Sequence, residues 1–300
     1  MSIEPQRARR VSPLVEGFAV VSLYTALALV LLHPLFTEPT RSVPSPPGFA
    51  VSVAADINLN IWILAWGWHA LTTHPSTVFD ANAFHPAPSV LALSEHMFGH
   101  LPIFGPIYAL SGNPVLANQM DLLAAFVLSA AAMYALLRHW RAPALAALFA
   151  GFVYGFCPTR VLDIGHIQHT AGQYLPLALL YLDRTLTRAT LRAALALLLC
   201  LLLQMLCSYY LAYMTLTAVT GYAVGILWVT RGRLRVPGVL LAVGAALLAG
   251  VAVGLLSLPY LQLKQTGVVG DYAASGPQHF LSSGLWQNYL YPPGAYQKWG

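Results

Sequence analysis

Charge is the scarcest ingredient of this sequence. Only 8% of its 300 residues are Asp, Glu, Lys or Arg, against about 25% in a soluble globular domain. A chain this poor in charge cannot clothe a water-facing surface, and its 58% of hydrophobic residues suits a protein whose solvent is largely lipid. There is no lysine-rich run and no basic face interleaved with aromatics, which excludes nucleic acid as a partner. Cysteine is nearly absent as well. Cys157, Cys200 and Cys207 form no CxxC, and two of them lie inside apolar runs, so they read as small buried hydrophobes rather than a disulfide framework or a zinc site. The first apolar stretch, Leu14 to Leu32, follows Arg7, Arg9 and Arg10 but lacks a small-residue cleavage site after it, so it reads as an uncleaved signal-anchor helix. No pair of broken helices recurs in two halves, as inverted-repeat carriers show.

What is abundant is long apolar runs. A membrane span needs about 20 residues, and the first is expected at 13–35. Further spans are expected at 116–137, 143–156, 170–182 and 236–261. Residues 193–229 are apolar for too long to be one helix and read as two spans, with a tight turn near Gln204 to Tyr210. Within the long first loop, 36–115, Ile57 to Leu71 carries Trp62, Trp66 and Trp68 and reads as a helix lying at the interface. Leu101 to Leu110, broken by Pro102 and Pro106, reads as a second such piece. The expected fold is all-α: a polytopic transmembrane helical bundle of about seven spans, with interfacial helices in the first outer loop. Residues 1–262 are expected to form the membrane module, and 263–300 to begin an extracytoplasmic segment of a longer chain.

Charge parity agrees with this count. With the amino terminus inside, the inner segments hold Arg7, Arg9, Arg10, Arg138, Arg141, Arg184, Arg188, Arg192, Arg231, Arg233 and Arg235, which is 11 of the 15 basic residues. Fusing 193–229 into one span would throw the last three to the other side. Glu38, Asp56, Asp80, Glu95, Asp163 and Asp271 fall outside, so any chemistry is expected there. The expected location is a bacterial inner membrane with the amino terminus cytoplasmic, and the expected partner is membrane lipid.

The outer segments offer several candidates. Asp56 stands before the expected interfacial helix, where it reads either as an N-cap or as a general base or metal ligand at the membrane surface. Asp80, Glu95 and His96 read as turn and cap residues, or as a second acid and a metal shell. Arg160 lies on the side where cations are disfavoured and needs a counter-charge, either Asp163 three residues on or a lipid phosphate. His166 and His169 follow on the same loop. Spacing alone specifies no metal set.

Asp56 with Asn60-Ile61-Trp62, Trp66 and His69-Ala70-Leu71 resembles a bacterial branch placed with the GT-C glycosyltransferases. Phe79-Asp80-Ala81-Asn82, Ser94-Glu95-His96, Asn113-Pro114, Pro158-Thr159-Arg160 and His166-Ile167-Gln168 continue the likeness, which covers most of residues 50–185. The resemblance implies a seven-span module and a polyprenyl-phosphate sugar donor. It also implies an active site facing the periplasm, with Asp56 as the catalytic residue. It leaves a divalent metal open. Two departures stand out: the branch has Gly before this Asp where Ala55 stands here, and relatives continue past the position of Gly300 into further spans. The competing readings are a transporter and a non-catalytic assembly subunit.

Overall fold

The computed structural model describes residues 12–44, 51–230 and 235–267 of the chain, with no side-chain placement for 51–54. The three amino-terminal arginines, Arg231, Arg233 and the segment from 268 onward lie outside the described residues. Among the described residues the secondary structure is entirely helical. In chain order the helices are α1 (Pro13–Leu31), α2 (His33–Phe36), α3 (Val51–Thr73), α4 (Leu101–Ser111), α5 (Pro114–His139), α6 (Ala144–Gly155) and α7 (Pro158–Leu162). They continue as α8 (Ile167–Thr170), α9 (Tyr174–Arg188), α10 (Leu191–Cys207), α11 (Tyr209–Thr230), α12 (Val236–Leu256) and α13 (Leu258–Gln265).

Local chemistry sets the helix ends. Ser12 accepts a hydrogen bond from the Val15 amide and Pro13 follows, a start that leaves no donor of the first turn wasted on the ring. Asn113 caps α5 in the same way through Leu116, again ahead of a proline. Its side-chain amide also donates to the Thr40 carbonyl, 3.2 Å away, which ties the first loop to the top of α5. Ser208 separates α10 from α11 in extended conformation, inside the turn expected at 204–210.

Among the described residues, five helical stretches are long and apolar enough to cross a membrane: Pro13–Leu31, Pro114–His139, Ala144–Leu162, Tyr209–Thr230 and Val236–Gln265. The third joins α6 to α7 and the fifth joins α12 to α13. The fourth and fifth expected spans correspond to α9 and α10, of 15 and 17 residues, which are shorter than the about 20 residues typical of a span. The interfacial segment expected at Ile57 to Leu71 belongs to a longer helix, the 23-residue α3. Val51 to Ala55 contain neither Pro nor Gly, so nothing stops the helix from extending back past Asp56.

Two apolar clusters hold the bundle. One gathers α1, α3, α4 and α5 around Tyr24, Phe104 and Phe126; the other gathers α9, α10, α11 and α12 around Leu197, Leu201 and Ala249. Charged groups collect at one end. There Arg138 donates to Glu16 at 2.8 Å, Tyr134 donates to the same carboxylate, and His139 meets Asp183 at 2.6 Å. Asp163, His166 and His169 lie in the segment that follows the other end of α6.

Close approach of α5 and α6 depends on small residues. A methyl on Gly155 would fall 2.6 Å from the Ala130 Cβ, and one on Gly151 would fall 2.6 Å from the Ala130 carbonyl oxygen. Both contacts are backbone-scale and cannot be relieved by a rotamer change. Gly155→Leu should therefore lower the thermal unfolding temperature of the detergent-solubilised protein, consistent with an overpacking cost of about 1–3 kcal/mol. Gly250→Leu, where nothing lies within 4 Å, should not. Equal melting of the two variants would contradict this packing.

Candidate functional site

The site is built where α3 meets the segment linking α6 to α9. That segment turns sharply at Cys157-Pro158, forms the short helices α7 and α8, and packs beside the middle of α5 at Ala125 and Phe126. Ile167 anchors it in the core at 3% exposure. The α3 face opposite carries Asp56 and Asn60, one turn apart, on the same side of the helix. The Asn60 amide donates to the Gln168 side-chain oxygen at 2.9 Å, joining the two elements. Beside this bond, His166 Nε2 lies 3.7 Å from Asp56 Oδ2.

Asp163 organises both histidines. Its Oδ1 is 2.6 Å from His166 Nδ1 and its Oδ2 is 2.7 Å from His169 Nδ1. An ionised carboxylate only accepts, so both Nδ1 atoms carry the hydrogen and both Nε2 atoms face away. His166 Nε2 faces Asp56, and His169 Nε2 is buried and has no hydrogen-bond partner among the described residues. The Tyr210 ring stands edge-on to His169, with centroids 5.3 Å apart.

Arg160 lies behind His169. Its guanidinium donates to the carbonyls of Thr170 and Ala125, and its carbon lies 5.5 Å from the Phe126 ring centre and 5.9 Å from that of Tyr154. Gly172 leaves room for it, since a methyl there would fall 2.6 Å from the guanidinium. Arg160 and Asp163 are thus not paired with each other: the ion pair that three-residue spacing offered is replaced by the two histidines on the acid and by backbone carbonyls on the arginine. Both side chains, with His169, line a cavity of about 260 Å³.

The reading of Asp56 as an N-cap is corrected. It occupies the sixth position of α3, within the helix, with its side chain 52% exposed. The remaining candidates are placed apart from Asp56. Asp80 accepts from the Ser89 amide at 2.8 Å and closes a turn. Glu95 accepts from the Tyr209 amide and the Ser208 hydroxyl, capping α11 one residue before the Tyr210 that touches His169. His96 is 3% exposed and stacks on Phe98, and burial pushes its pKa down to about 4.

Asp163 is the residue whose role spacing understated, although Asp-x-x-His-x-x-His from 163 to 169 places all three groups on one short turn segment. A buried pair was also missed. His100 Nδ1 lies 2.8 Å from Asp121 Oδ2, with both side chains fully buried. The two residues stand 21 positions apart on different elements, so no local pattern announces them.

Asp163, His166 and His169 each bring a ligand-capable atom within 4.8 Å of the other two. Two ligands on a tetrahedral zinc ion, each about 2.0–2.1 Å from it, stand about 3.3 Å apart. The imidazole–carboxylate separations here are hydrogen-bond distances instead. Hydrogen bonds join His166 and His169 through Asp163, and Asp56 stands at ion-pair distance, 3.7 Å, from His166. The chain matches no protein-family model, no curated protein and no solved structure.

The Asp163–His169 pair has a defined pH window. Burial opposes ionisation of Asp163, but hydrogen bonds and charge from His169 and His166 outweigh it and hold the carboxyl below its ordinary value. The bond to Asp163 raises the His169 pKa, burial opposes it, and the charges of Asp163 and Glu95 add to the rise. A depressed carboxyl stabilises the fold above its unfolded pKa and loses that contribution as pH falls through the folded value. A raised imidazole stabilises below its unfolded pKa and loses it as pH rises through the folded value. The pair is therefore strongest between about pH 4 and pH 6.5. NMR titration of His169 should give a midpoint above about 6.5, and Asp163→Asn should lower it. A midpoint unmoved by Asp163→Asn would contradict the pairing.

Proposed function

We propose that the chain is a GT-C-type membrane glycosyltransferase that moves a sugar from a polyprenyl-phosphate donor on the extracytoplasmic face of a bacterial plasma membrane. The observation that carries this reading is the convergence of Asp56 and Asn60 with His166 and Gln168. These are the first-loop and second-loop residues that bear the resemblance, and they are more than 100 positions apart in sequence. In this reading α9 and α10 also cross the bilayer, giving seven spans, in agreement with charge parity. The amino terminus is then cytoplasmic and the Asp56 end faces outward.

The chemistry follows from Asp56. A hydroxyl of the acceptor attacks the anomeric carbon, and Asp56 takes the hydroxyl proton as the new C–O bond forms. The bond from the anomeric carbon to the phosphate oxygen breaks, and polyprenyl phosphate leaves with the electron pair. At 52% exposure the carboxylate is open to a substrate. His166, beyond hydrogen-bond reach but at ion-pair distance, positions it.

One observation favours a second reading, a proton-linked transporter: the buried His100–Asp121 pair keeps on each side chain an atom, His100 Nε2 and Asp121 Oδ1, with no partner among the described residues. One variant separates the two. Asp56→Asn cannot take a proton, and it should lower transfer from a polyprenyl-phosphate sugar by at least about a hundredfold. Melting should be unchanged, because the carboxylate is 52% exposed and its ion-pair contact among the described residues, His166, stands 3.7 Å away. Transfer that survives Asp56→Asn removes Asp56 from the mechanism. Absence of transfer in the wild type, with proton uptake abolished by Asp121→Asn, would favour the transporter.

A further inference from the structure

A charged cavity of about 510 Å³ lies where the start of α1 faces α5 and α9. The packing of α1 explains why the space exists. Its buried residues are Val20, Tyr24 and Ala28, a stripe at four-residue spacing that packs on α5. Gly17 continues this stripe toward the amino terminus, yet a methyl there would have nothing within 4 Å. The packing face of α1 therefore runs out before the helix does, and a gap is left between Gly17 and the α9 residues Leu180 and Arg184.

The lining grades from apolar to charged. Val20, Ala131 and Leu180 lie toward the middle of the bundle, and Glu16, Arg138 and Arg184 lie one to two turns nearer the helix ends. Two guanidiniums stand there against one lining carboxylate. Arg138 and Tyr134 both donate to Glu16, and His139 is held by Asp183 at 2.6 Å. Arg184 has no hydrogen bond or ion pair among the described residues; its guanidinium carbon lies 5.5 Å from the Tyr181 ring centre. An arginine stays charged at neutral pH, so the cavity mouth carries one net positive charge. We infer that the cavity holds one anionic phospholipid, with its headgroup on Arg184 and Arg138 and an acyl chain beside Gly17, Val20 and Leu180. A single negative headgroup matches the single net positive charge, and both α1 and α5 are long and apolar enough to cross a membrane, where such a lipid is the molecule at hand. The lipid fills the gap between α1 and α9. This inference is independent of the glycosyltransferase reading.

The test is lipid binding to the full chain, delipidated in a maltoside detergent. Dioleoyl phosphatidylglycerol, dioleoyl phosphatidylcholine and glycerol 3-phosphate are titrated in, and bound lipid is counted by native mass spectrometry. Phosphatidylglycerol should bind one to one, at least about tenfold more tightly than phosphatidylcholine, and should raise the melting temperature. Glycerol 3-phosphate, which lacks the chains, should not. Arg184→Gln should weaken phosphatidylglycerol at least about fivefold and leave phosphatidylcholine unchanged, while Arg184→Lys should keep the preference. Gly17→Leu puts a side chain into the gap and should weaken both lipids. Should Arg184→Gln melt early without lipid, Gly17→Leu decides.

Equal affinity for the two lipids would overturn the inference, because the arginines would then select nothing. Glycerol 3-phosphate binding as tightly as phosphatidylglycerol would overturn it too, by making the cavity an anion site with no place for a chain. So would a phosphatidylglycerol affinity unchanged in stably folded Arg184→Gln, or unchanged in Gly17→Leu, which would put the lipid elsewhere on the protein.

Discussion

The two oxygens of the Asp163 carboxylate each take one histidine, and the geometry of this end of the molecule depends on that division. A protein with so few charges has little to spend on order in its loops. Segment 158–172 has only short helices of its own, α7 and α8, of five and four residues. Such helices are not stable by propensity alone. Side-chain hydrogen bonds therefore fix the segment: Asp163 to both histidines, Gln168 to Asn60, and Arg160 to the carbonyls of Thr170 and Ala125. Without Asp163 each ring would be free to rotate, and neither Nε2 would have a defined direction.

That constraint propagates through the backbone. The Arg160 guanidinium satisfies carbonyls at the end of α8 and in α5, where no water is available to do so. The Gln204 amide donates to the Ala171 carbonyl and its oxygen accepts from the Leu175 amide, so α10 holds the start of α9. Glu95 holds the start of α11, and Tyr210 on that helix packs on His169. The first loop, the second loop and the α10–α11 turn are thus tied into one polar layer by side chains from each.

The sequence makes the bundle legible because lipid imposes a length and a composition on every crossing helix. The breaks at Asn113-Pro114 and Ser208 are visible for the same reason, as polar residues inside apolar surroundings. Asp56 was harder to place: its role as a cap depended on where α3 begins, and Val51 to Ala55 carry no stop signal. Arg160 illustrates a different limit. Three-residue spacing makes Asp163 a natural partner, yet the carboxylate has two better-placed donors and the guanidinium finds carbonyls and aromatic faces. The His100–Asp121 pair needs the packing of α4 and α5 to exist at all. Local pattern gives the elements; choice among several polar partners is decided by tertiary geometry.

The central claim is that α3 and the 166–169 segment meet at their polar faces. It is tested most directly by cross-linking cysteines placed at Asn60 and Gln168, with Cys157, Cys200 and Cys207 replaced by serine or alanine, in native membranes. A short bis-methanethiosulfonate reagent should join Asn60→Cys to Gln168→Cys in high yield. It should fail to join Asn60→Cys to Tyr213→Cys, a position 74% exposed on the outer side of α11. No cross-link between positions 60 and 168, with both cysteines shown to react singly, would contradict the account.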